Sequence, residues 1–317
     1  TFDARFAYKA EVSVAGGEAQ WEDLLLEYRA SDRTALSVGN FRTVSLENLT
    51  SSRYITFMER GPFNDVLGLG RTLNLAAFTH GANWSVSAAL SGDNINDLDV
   101  AGDETHGASA RATFAPVNAD ARTLHFGAWA RYRDQGGEGA LRYRARSNTN
   151  FGARYIDTGA FGSSDATLGL EAAVARGSVS LQGEYARLSA EAEASGRSAD
   201  LDAFYVFGSW YVTGERRNYD AEEGVFGRTR VRRPVTQGGP GAVELAVRYE
   251  RANLGEAFAA GAGGRAGEYR GVTLGANWRP IGYVRFMANY TAAQNDNPID
   301  ALDADVDTFQ ARAQFDF

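Results

Sequence analysis

The sequence predicts an all-β fold, namely a closed antiparallel β-barrel whose strands cross a membrane. Three observations support this class: a repeated alternation of apolar and polar side chains, a closing strand rich in phenylalanine, and the absence of long apolar runs. Because no stretch of about 18 apolar residues exists, a membrane-spanning helix is not predicted. The mean hydropathy of −0.34 is compatible with a barrel, since only alternate residues of a barrel strand face lipid.

The closing strand shows the alternation most clearly. Over residues 308–317, one face carries phenylalanine and alanine, whereas the other carries only polar or charged side chains. A period of two places successive side chains on opposite faces of a strand. The pattern recurs in residues 2–14, 84–91, 123–133 and 283–292, whereas a helical period of 3.6 is not convincing anywhere. Fourteen strands are predicted, near residues 1–14, 20–29, 34–43, 67–79, 83–92, 105–116, 121–133, 165–176, 178–190, 199–213, 243–254, 268–279, 282–294 and 306–317.

The links between these strands alternate in length. Outer-membrane barrels have short periplasmic turns and longer extracellular loops, and an even number of strands returns both termini to the periplasmic side. The link at residues 214–242 breaks the rule, because it is long but falls on the periplasmic side; a further hairpin, for instance over residues 225–231, would accommodate it. The short links lie at residues 31–33, 80–82, 117–120, 177 and 280–281, and the longer ones at 44–66, 93–104, 134–164, 191–198, 255–267 and 295–305.

Composition narrows the function classes. The 317 residues include no cysteine, which rules out disulfides and cysteine metal sites, and the net charge of −8 argues against nucleic acid as a partner. The three histidines form no zinc-protease motif, and no G-x-S-x-G elbow is present. We therefore expect no enzyme, no catalytic residue, no cofactor and no metal site. Two acidic loops, around residues 93–104 and 296–307, are interpreted as solvated loops, with a Ca²⁺ site as the less favoured alternative.

Several stretches resemble the phosphate-selective porin O/P family of outer-membrane porins. They occur in the family's order over most of the chain, and their order makes the match more specific than any single stretch. The stretches are Val38-Gly39-Asn40-Phe41-Arg42, Ser45-Leu46-Glu47-Asn48-Leu49-Thr50-Ser51-Ser52, Phe57-Met58-Glu59-Arg60, Tyr155-Ile156-Asp157-Thr158-Gly159, Gln182-Gly183-Glu184-Tyr185, Val212-Thr213-Gly214-Glu215-Arg216, Val243-Glu244-Leu245-Ala246-Val247-Arg248-Tyr249 and Leu274-Gly275-Ala276-Asn277-Trp278-Arg279-Pro280.

The resemblance implies a sixteen-stranded, usually trimeric barrel with an inward-folded third loop that forms the constriction. Family members carry strand material ahead of the part that matches residues 1–14, so the first strand or hairpin is expected to be missing, disordered or cleaved here. We therefore expect about 14–16 strands, with sixteen favoured, in a single outer-membrane barrel domain over residues 1–317.

The function implied by the resemblance is a passive, water-filled pore in the outer membrane of a Gram-negative cell. It would pass small hydrophilic solutes, prefer anions such as phosphate or polyphosphate, and form a homotrimer among lipopolysaccharide and outer-membrane lipid. The single lysine, Lys9, and the acidic net charge weaken the implication of anion passage. The alternatives are a general non-selective porin, a barrel with an enzymatic or structural surface role, and a soluble β-protein with exposed charged faces.

Charged side chains on the predicted lumen face are the candidates for controlling passage, because the sign of the charge at a constriction sets the selectivity of a pore. Segment 44–66 follows the third strand, where the resemblance implies the inward loop. Each charge could instead be a solvated group that pairs across strands, or lie in a surface loop outside the pore. The predicted constriction and anion-binding residues are Arg42, Arg53, Glu59, Arg60, Arg131, Arg133 and Arg285.

Two further basic clusters stand out. Arg142, Arg144 and Arg146 alternate on one face of a short predicted strand, where they would attract anions to the pore mouth. Binding of lipopolysaccharide phosphates and contact with a neighbouring subunit are alternatives of nearly equal weight. The arginines between residues 216 and 233 are interpreted as part of a solvated periplasmic linker. We expect a modest anion preference, with phosphate slowing the chloride current and with Arg53→Ala or Arg60→Ala weakening that block.

Overall fold

The computed structural model describes residues 4–15, 17–97, 105–119, 121–136, 141–192, 196–259 and 264–316. Within these ranges, fourteen antiparallel strands form one sheet, and each of them pairs with the strand of the same sheet that follows it along the chain. Two short hairpins lie apart from this sheet. The sheet strands are β1 (Phe6–Ala15), β2 (Glu18–Ser31), β3 (Thr34–Phe41), β4 (Thr72–His80), β5 (Trp84–Ser91), β6 (His106–Ala119), β7 (Arg122–Asp134), β10 (Ser164–Arg176), β11 (Val179–Ala192), β12 (Arg197–Tyr211), β15 (Ala242–Asn253), β16 (Glu268–Ile281), β17 (Val284–Asp296) and β18 (Ala304–Phe315). The separate hairpins are β8 (Leu141–Arg146) with β9 (Arg154–Gly162), and β13 (Asn218–Asp220) with β14 (Val225–Gly227).

In the described ranges, helices are few and short. The α-helices are α1 (Leu46–Leu49), α2 (Gly61–Val66) and α3 (Gly255–Ala259), and 3₁₀ turns occupy Ile95–Asp97, Val235–Gln237 and Asp300–Leu302. In the part of the chain that the structure describes, none of the helices combines the length and the apolar character needed to span a membrane.

All fourteen strands predicted from the alternation have counterparts in the sheet, so that part of the sequence analysis is confirmed. The number lies at the lower end of the expected range of 14–16. β1 and β18 are the two ends of the hydrogen-bonded order, and no ladder joins them within the described residues. The sheet nevertheless curves around an interior, because residues 42–71 reach inward and bond to strands as far apart as β2, β7 and β17.

The two ends of the barrel differ in their connections. The turn end carries the tight links that join β2 to β3, β4 to β5, β6 to β7, β10 to β11 and β16 to β17. The loop end carries most of the longer connections. The link from β12 to β15 is the exception, because it is long and leaves from the turn end. The sequence analysis predicts that the turn end faces the periplasm.

The chemistry of the two sheet faces is the reverse of that in a water-soluble protein. Large apolar side chains project outward and stay exposed, for example Leu168 at 69% and Leu274 at 54%. Charged side chains point inward and are buried, for example Arg248 and Arg285 at 1% each. Apolar surface is stable against lipid, whereas buried charges need partners, so this arrangement suits a barrel with lipid outside and polar groups within. Exposed tryptophans near the turn end resemble an aromatic belt, namely Trp84, Trp210 and Trp278.

Three of the connections in the described part of the chain fold into the barrel. The constriction segment, residues 42–71, enters from the loop end between β3 and β4 and contains α1 and α2. The inner hairpin, residues 141–162, follows β7 from the same end and consists of β8 and β9. The turn-end insertion, residues 212–241, enters from the opposite end and contains β13 and β14. The predicted inward fold of the third loop is therefore present, together with two further inward segments.

The turn-end insertion corrects one expectation. The sequence analysis predicts a solvated linker, but Arg217 and Tyr219 are each 7% exposed and Phe226 is 1% exposed. The physical reason is that the aromatic side chains find an apolar surface formed by small side chains of the wall and by Leu46 of the constriction segment. The predicted extra hairpin is present, although it pairs β13 with β14 rather than spanning residues 225–231. The remaining arginines of the basic stretch stay exposed, namely Arg216, Arg228, Arg230, Arg232 and Arg233.

Candidate functional site

The start of the constriction segment is fixed by a wall carboxylate. The first N–H groups of a helix lack partners within the helix. At α1, the Ser45 side chain accepts a hydrogen bond from the Asn48 amide, and the amides of Leu46 and Glu47 donate to Glu184 of β11 at 3.0 and 2.8 Å. The sequence therefore forms this short helix where a buried glutamate can satisfy its free N–H groups.

The middle of the segment is held by side chains that bond to its backbone carbonyls. Arg285 of β17 donates to the carbonyls of Ile55 and Thr56 at 2.8 and 3.0 Å, and Asn277 of β16 also donates to Thr56. Arg312 of β18 donates to the Met58 carbonyl at 3.0 Å. These wall groups anchor an irregular backbone inside the barrel, where unpaired carbonyls would be costly.

Arg248 of β15 connects the wall, the constriction segment and the inner hairpin. Its guanidinium lies 2.9 Å from the Glu250 carboxylate and 3.3 Å from that of Glu47. It also donates to the Asn148 side chain at 2.5 Å and to the Glu59 carbonyl at 3.0 Å. Gly61 lies beside this cluster with a φ of 72°, and a Cβ there would come within 2.2 Å of Glu250 Oε1. The cluster therefore requires both the arginine and the close approach of a glycine backbone.

The constriction segment and the inner hairpin enclose a strongly basic cavity of about 380 Å³. Six arginine side chains supply most of its charge, and two carboxylates are among its described lining residues. We call it the arginine cavity. Its charged lining consists of Arg42, Arg60, Arg142, Arg144, Arg146, Arg154, Glu59 and Asp65.

The positive charges of the arginine cavity are incompletely balanced. Burial, together with the positive charges of Arg60 and Arg71, lowers the pKa of Arg42 to about 9. Burial, with Arg144 and Arg146 adding repulsion, also lowers the pKa of Arg154. The lowered pKa values mean that the cationic forms of Arg42 and Arg154 are less stable here than in water. An anion in the cavity would reverse that effect.

The cavity arginines differ in the partners that they find among the described residues. Arg42, Arg144 and Arg154 form neither a close ion pair nor a side-chain hydrogen bond there, and the Arg42 Nε atom is buried without a partner. Arg142 is different, because its guanidinium forms a bidentate pair with Asp157 at 2.7 and 2.6 Å. Arg60 is also engaged, since it donates to the carbonyls of Glu47 and Thr50. Arg146 donates to the Gly152 carbonyl at 2.9 Å, so three of the six guanidinium groups remain for a solute.

The carboxylates of the cavity have protein partners. Asn150 donates to Glu59 at 2.7 Å, and the Arg146 amide donates to Asp65 at 3.3 Å. Burial raises the pKa of both carboxyl groups, most strongly opposed by Arg312 at Glu59 and by the Arg146 amide at Asp65. The cause is desolvation, which disfavours the charged form of a carboxyl group.

The structure brings together six of the ten site residues predicted from sequence, namely Arg42, Glu59, Arg60, Arg142, Arg144 and Arg146. Arg131 and Arg133 lie on the adjacent wall, where Arg131 donates to the carbonyls of Leu67 and Gly68 and Arg133 pairs with Asp165. Arg285 donates to the backbone carbonyls of Ile55 and Thr56. Arg53 is exposed beside Tyr54, and its carbonyl accepts from Gln314 near the end of β18, away from the cavity.

Sequence reasoning missed Arg154 as a cavity residue. It directly precedes the Tyr155–Gly159 stretch that carries part of the family resemblance, which was the one available signal. It also missed Asn148, whose amide joins the inner hairpin to Arg248, Glu250 and Tyr269. Only the folded hairpin shows that these residues meet the constriction segment.

Carboxylates of the two acidic loops accept hydrogen bonds from nearby backbone amides. Asp93 accepts from the Thr105 amide, and Asp303 accepts from the Asn297 amide. No cluster of three or more histidine, aspartate or glutamate side chains with metal-binding geometry occurs among the described residues. Asp99, Asp103 and Glu104 of the first loop lie outside those residues.

Comparisons with known proteins agree on a family and a fold. A family model described as phosphate-selective porin O and P matches residues 1–317. Porin O of Pseudomonas aeruginosa is 25% identical over 336 residues, which cover 94% of this chain and 74% of that protein. An uncharacterized protein of Caulobacter vibrioides is 29% identical over 331 residues, and the chain spans 65% of its length. The solved structure of Pseudomonas putida OprB matches 94% of this chain and 74% of its own, with a TM-score of 0.60 at 9% identity, which shows similarity of fold alone.

Proposed function

Because this chain belongs to the phosphate-selective porin O and P family and is a multi-pass β-barrel of the outer membrane, we propose that it is a passive channel for small hydrophilic solutes that prefers anions. Family and fold point to a channel rather than an enzyme. The observation that carries the anion preference is the arginine cavity, in which Arg42, Arg144 and Arg154 form no close ion pair or side-chain hydrogen bond with any of the described residues.

Phosphate is the anion class that fits this lining best. A guanidinium group presents a planar fork of N–H donors that matches two oxygens of a phosphate, and it stays charged at working pH. Conduction also requires that no single site hold the solute too tightly. The two carboxylates in the cavity, Glu59 and Asp65, reduce the net attraction and so favour release.

The position of the cavity also favours solute contact over the alternatives for the β8 arginines. Arg142, Arg144 and Arg146 line an internal space shared with the constriction segment rather than the outer wall that would meet lipid. We therefore assign them to the attraction of anions, and not to lipopolysaccharide phosphates or a subunit contact.

A general porin is the second candidate, and the turn-end mouth favours it. A vestibule of about 660 Å³ opens there, and carboxylates outnumber arginines in its lining. Such a mouth would attract cations and offset the arginine cavity. The charged groups around it are Arg5, Arg29, Arg33, Glu27, Asp32, Asp220, Glu222 and Glu223, with His80 beside them.

Bilayer recording separates the two candidates. In a potassium chloride gradient, we expect the reversal potential to lie closer to the equilibrium potential of chloride than to that of potassium. Added phosphate should reduce the chloride current because it occupies the arginine cavity. Potassium acetate at the same ionic strength is the control, since its single carboxylate is a weaker match for several guanidinium groups. Cation selectivity with no phosphate block would refute the anion preference and leave the general porin.

The native assembly is proposed to be a homotrimer embedded in lipopolysaccharide and outer-membrane lipid, as the family resemblance implies. The exposed apolar outer wall offers the surface for both lipid and subunit contacts. Native mass spectrometry in mild detergent should show a species of three chains, with retained lipopolysaccharide as additional mass. A spectrum with monomers alone would contradict the trimer.

A further inference from the structure

A chain of buried hydrogen bonds links the turn-end insertion to the constriction segment across the lumen. Arg217 of the insertion donates to the Gln182 side chain at 2.9 Å, and Gln182 donates to the Tyr205 hydroxyl at 2.7 Å. That hydroxyl donates to Glu184 at 2.6 Å. Glu184 then accepts the Leu46 and Glu47 amides at the start of α1. Segments that enter the barrel from opposite ends are therefore joined by four polar side chains.

Donor chemistry fixes the direction of this chain. A guanidinium group can only donate, so the Gln182 oxygen must face Arg217 and its NH₂ group must face Tyr205. The tyrosine oxygen accepts that bond, and its own proton is then available for Glu184. Each bond determines the next, and hydrogen bonds aligned in one direction polarise and strengthen one another.

Ring contacts hold Arg217 in place and form a second, apolar connection. The guanidinium carbon lies 3.7 Å from the ring centroid of Phe226 and 5.1 Å from that of Phe207. Phe207 in turn meets Phe57 of the constriction segment edge to face at 5.5 Å. Removal of Arg217 would therefore disturb both connections to the constriction.

The insertion is itself clamped to the wall, so it can serve as a fixed support. Arg111 forms a bidentate pair with Glu171 at 2.8 Å and donates to the Gly224 carbonyl at 2.7 Å. His125 lies between Glu171 and the Tyr219 hydroxyl. These bonds fix the insertion independently of Arg217.

We propose that Arg217 is a positioning residue for the constriction, and that it acts through Gln182, Tyr205 and Glu184 on the start of α1. Arg217 is not among the residues that line the arginine cavity. The turn-end insertion thus determines how firmly the constriction segment is held, although it enters from the other end of the barrel. The consequence for solute passage rests on the channel function proposed above.

The first test measures mobility without any need for channel activity. The chain contains no cysteine, so a single Ser52→Cys substitution in the exposed part of the constriction segment can carry a nitroxide spin label. In Arg217→Ala, we expect the spectrum of this label to shift from an immobilised toward a mobile component. Arg216→Ala is the matched control, because it removes the same charge from the adjacent, exposed position.

The second test uses channel recordings. Arg217→Ala should increase the open-channel current noise and add sub-conductance states, whereas Arg216→Ala should behave as wild type. Gln182→Leu breaks the chain while it leaves Arg217 present, and it should reproduce the label shift even if Arg217→Ala folds poorly. Identical label spectra in wild type, Arg217→Ala and Gln182→Leu would overturn the proposal. Absence of current in wild type would instead refute the channel function and leave the label result to decide the positioning role.

Discussion

Arg248→Met is expected to lower the free energy of unfolding by about 3–5 kcal/mol, because it leaves buried carboxylates without their cation. Methionine fills much of the same space without a charge. Arg248 is 1% exposed and is paired with Glu250 at 2.9 Å, and Glu47 lies at 3.3 Å. A urea titration in lipid vesicles, followed by tryptophan fluorescence, would measure the change.

The same substitution should also increase single-channel conductance. Arg248 donates to the Glu59 carbonyl of the constriction segment and to Asn148 of the inner hairpin. Without it, both segments lose a common anchor, so the space between them should widen. A conductance equal to wild type would indicate that the other anchors, such as Arg285, are sufficient.

Arg251→Met provides the matched control on the same strand. Arg251 lies on the outer face, and its pairs with Asp202 and Glu268 are partly exposed. Exposed ion pairs contribute about 0–1 kcal/mol, so this variant should remain close to wild type. Adding Glu250→Gln to Arg248→Met should recover part of the lost stability, because it removes an unpaired buried charge. Equal losses for Arg248→Met and Arg251→Met would contradict the assigned role of burial.

The sequence predicts the barrel wall well because lipid and lumen impose different chemistry on alternate residues. In β16, for example, Val272, Leu274 and Trp278 face outward while Thr273 and Asn277 are buried inward. That period is a local property, and a single strand is enough to show it. The inward fold of the third loop was accessible only through the family resemblance.

The turn-end insertion shows what a local pattern cannot reveal. Tyr219 and Phe226 do not lie in a long stretch that alternates apolar and polar residues. The surface that buries them includes Ala115, Ala173 and Leu46, which lie far away in sequence. From the sequence alone, the arginine-rich stretch of the turn-end insertion resembles an exposed linker, because the residues that bury part of it cannot be identified from the local pattern. The deep burial of Arg217 depends on Phe207 and Gln182, and neither is adjacent in the chain.

The same limit applies to the arginines predicted to contact solutes. Arg285 and Arg144 have the same side chain; Arg285 was predicted at the constriction and Arg144 at the pore mouth. Arg285 meets the carbonyls of Ile55 and Thr56, roughly 230 positions earlier, whereas Arg144 finds no such partner among the described residues. Which guanidinium group remains available is therefore set by long-range packing.

Charge reversal in the arginine cavity should produce the largest change in selectivity. We expect two changes when Arg144→Glu is combined with Arg154→Glu. The reversal potential in a potassium chloride gradient should move toward the equilibrium potential of potassium, and the phosphate block should be lost. The reason is that carboxylates replace two guanidinium groups of the arginine cavity that form no close ion pair among the described residues. Screening acts over about 10 Å at 0.1 M salt but only about 3 Å at 1 M, so the shift should shrink as salt rises.

Arg53→Glu is the control that separates this cavity from overall charge. It makes the same change of charge as one of the two cavity substitutions, and it also lies in the constriction segment, but Arg53 is exposed beside Tyr54 and does not line the cavity. We therefore expect substitution of Arg144 and Arg154, rather than of Arg53, to weaken the phosphate block. If Arg53→Glu and Arg144→Glu shift the reversal potential equally, the net charge of the lumen governs passage, as the general porin requires.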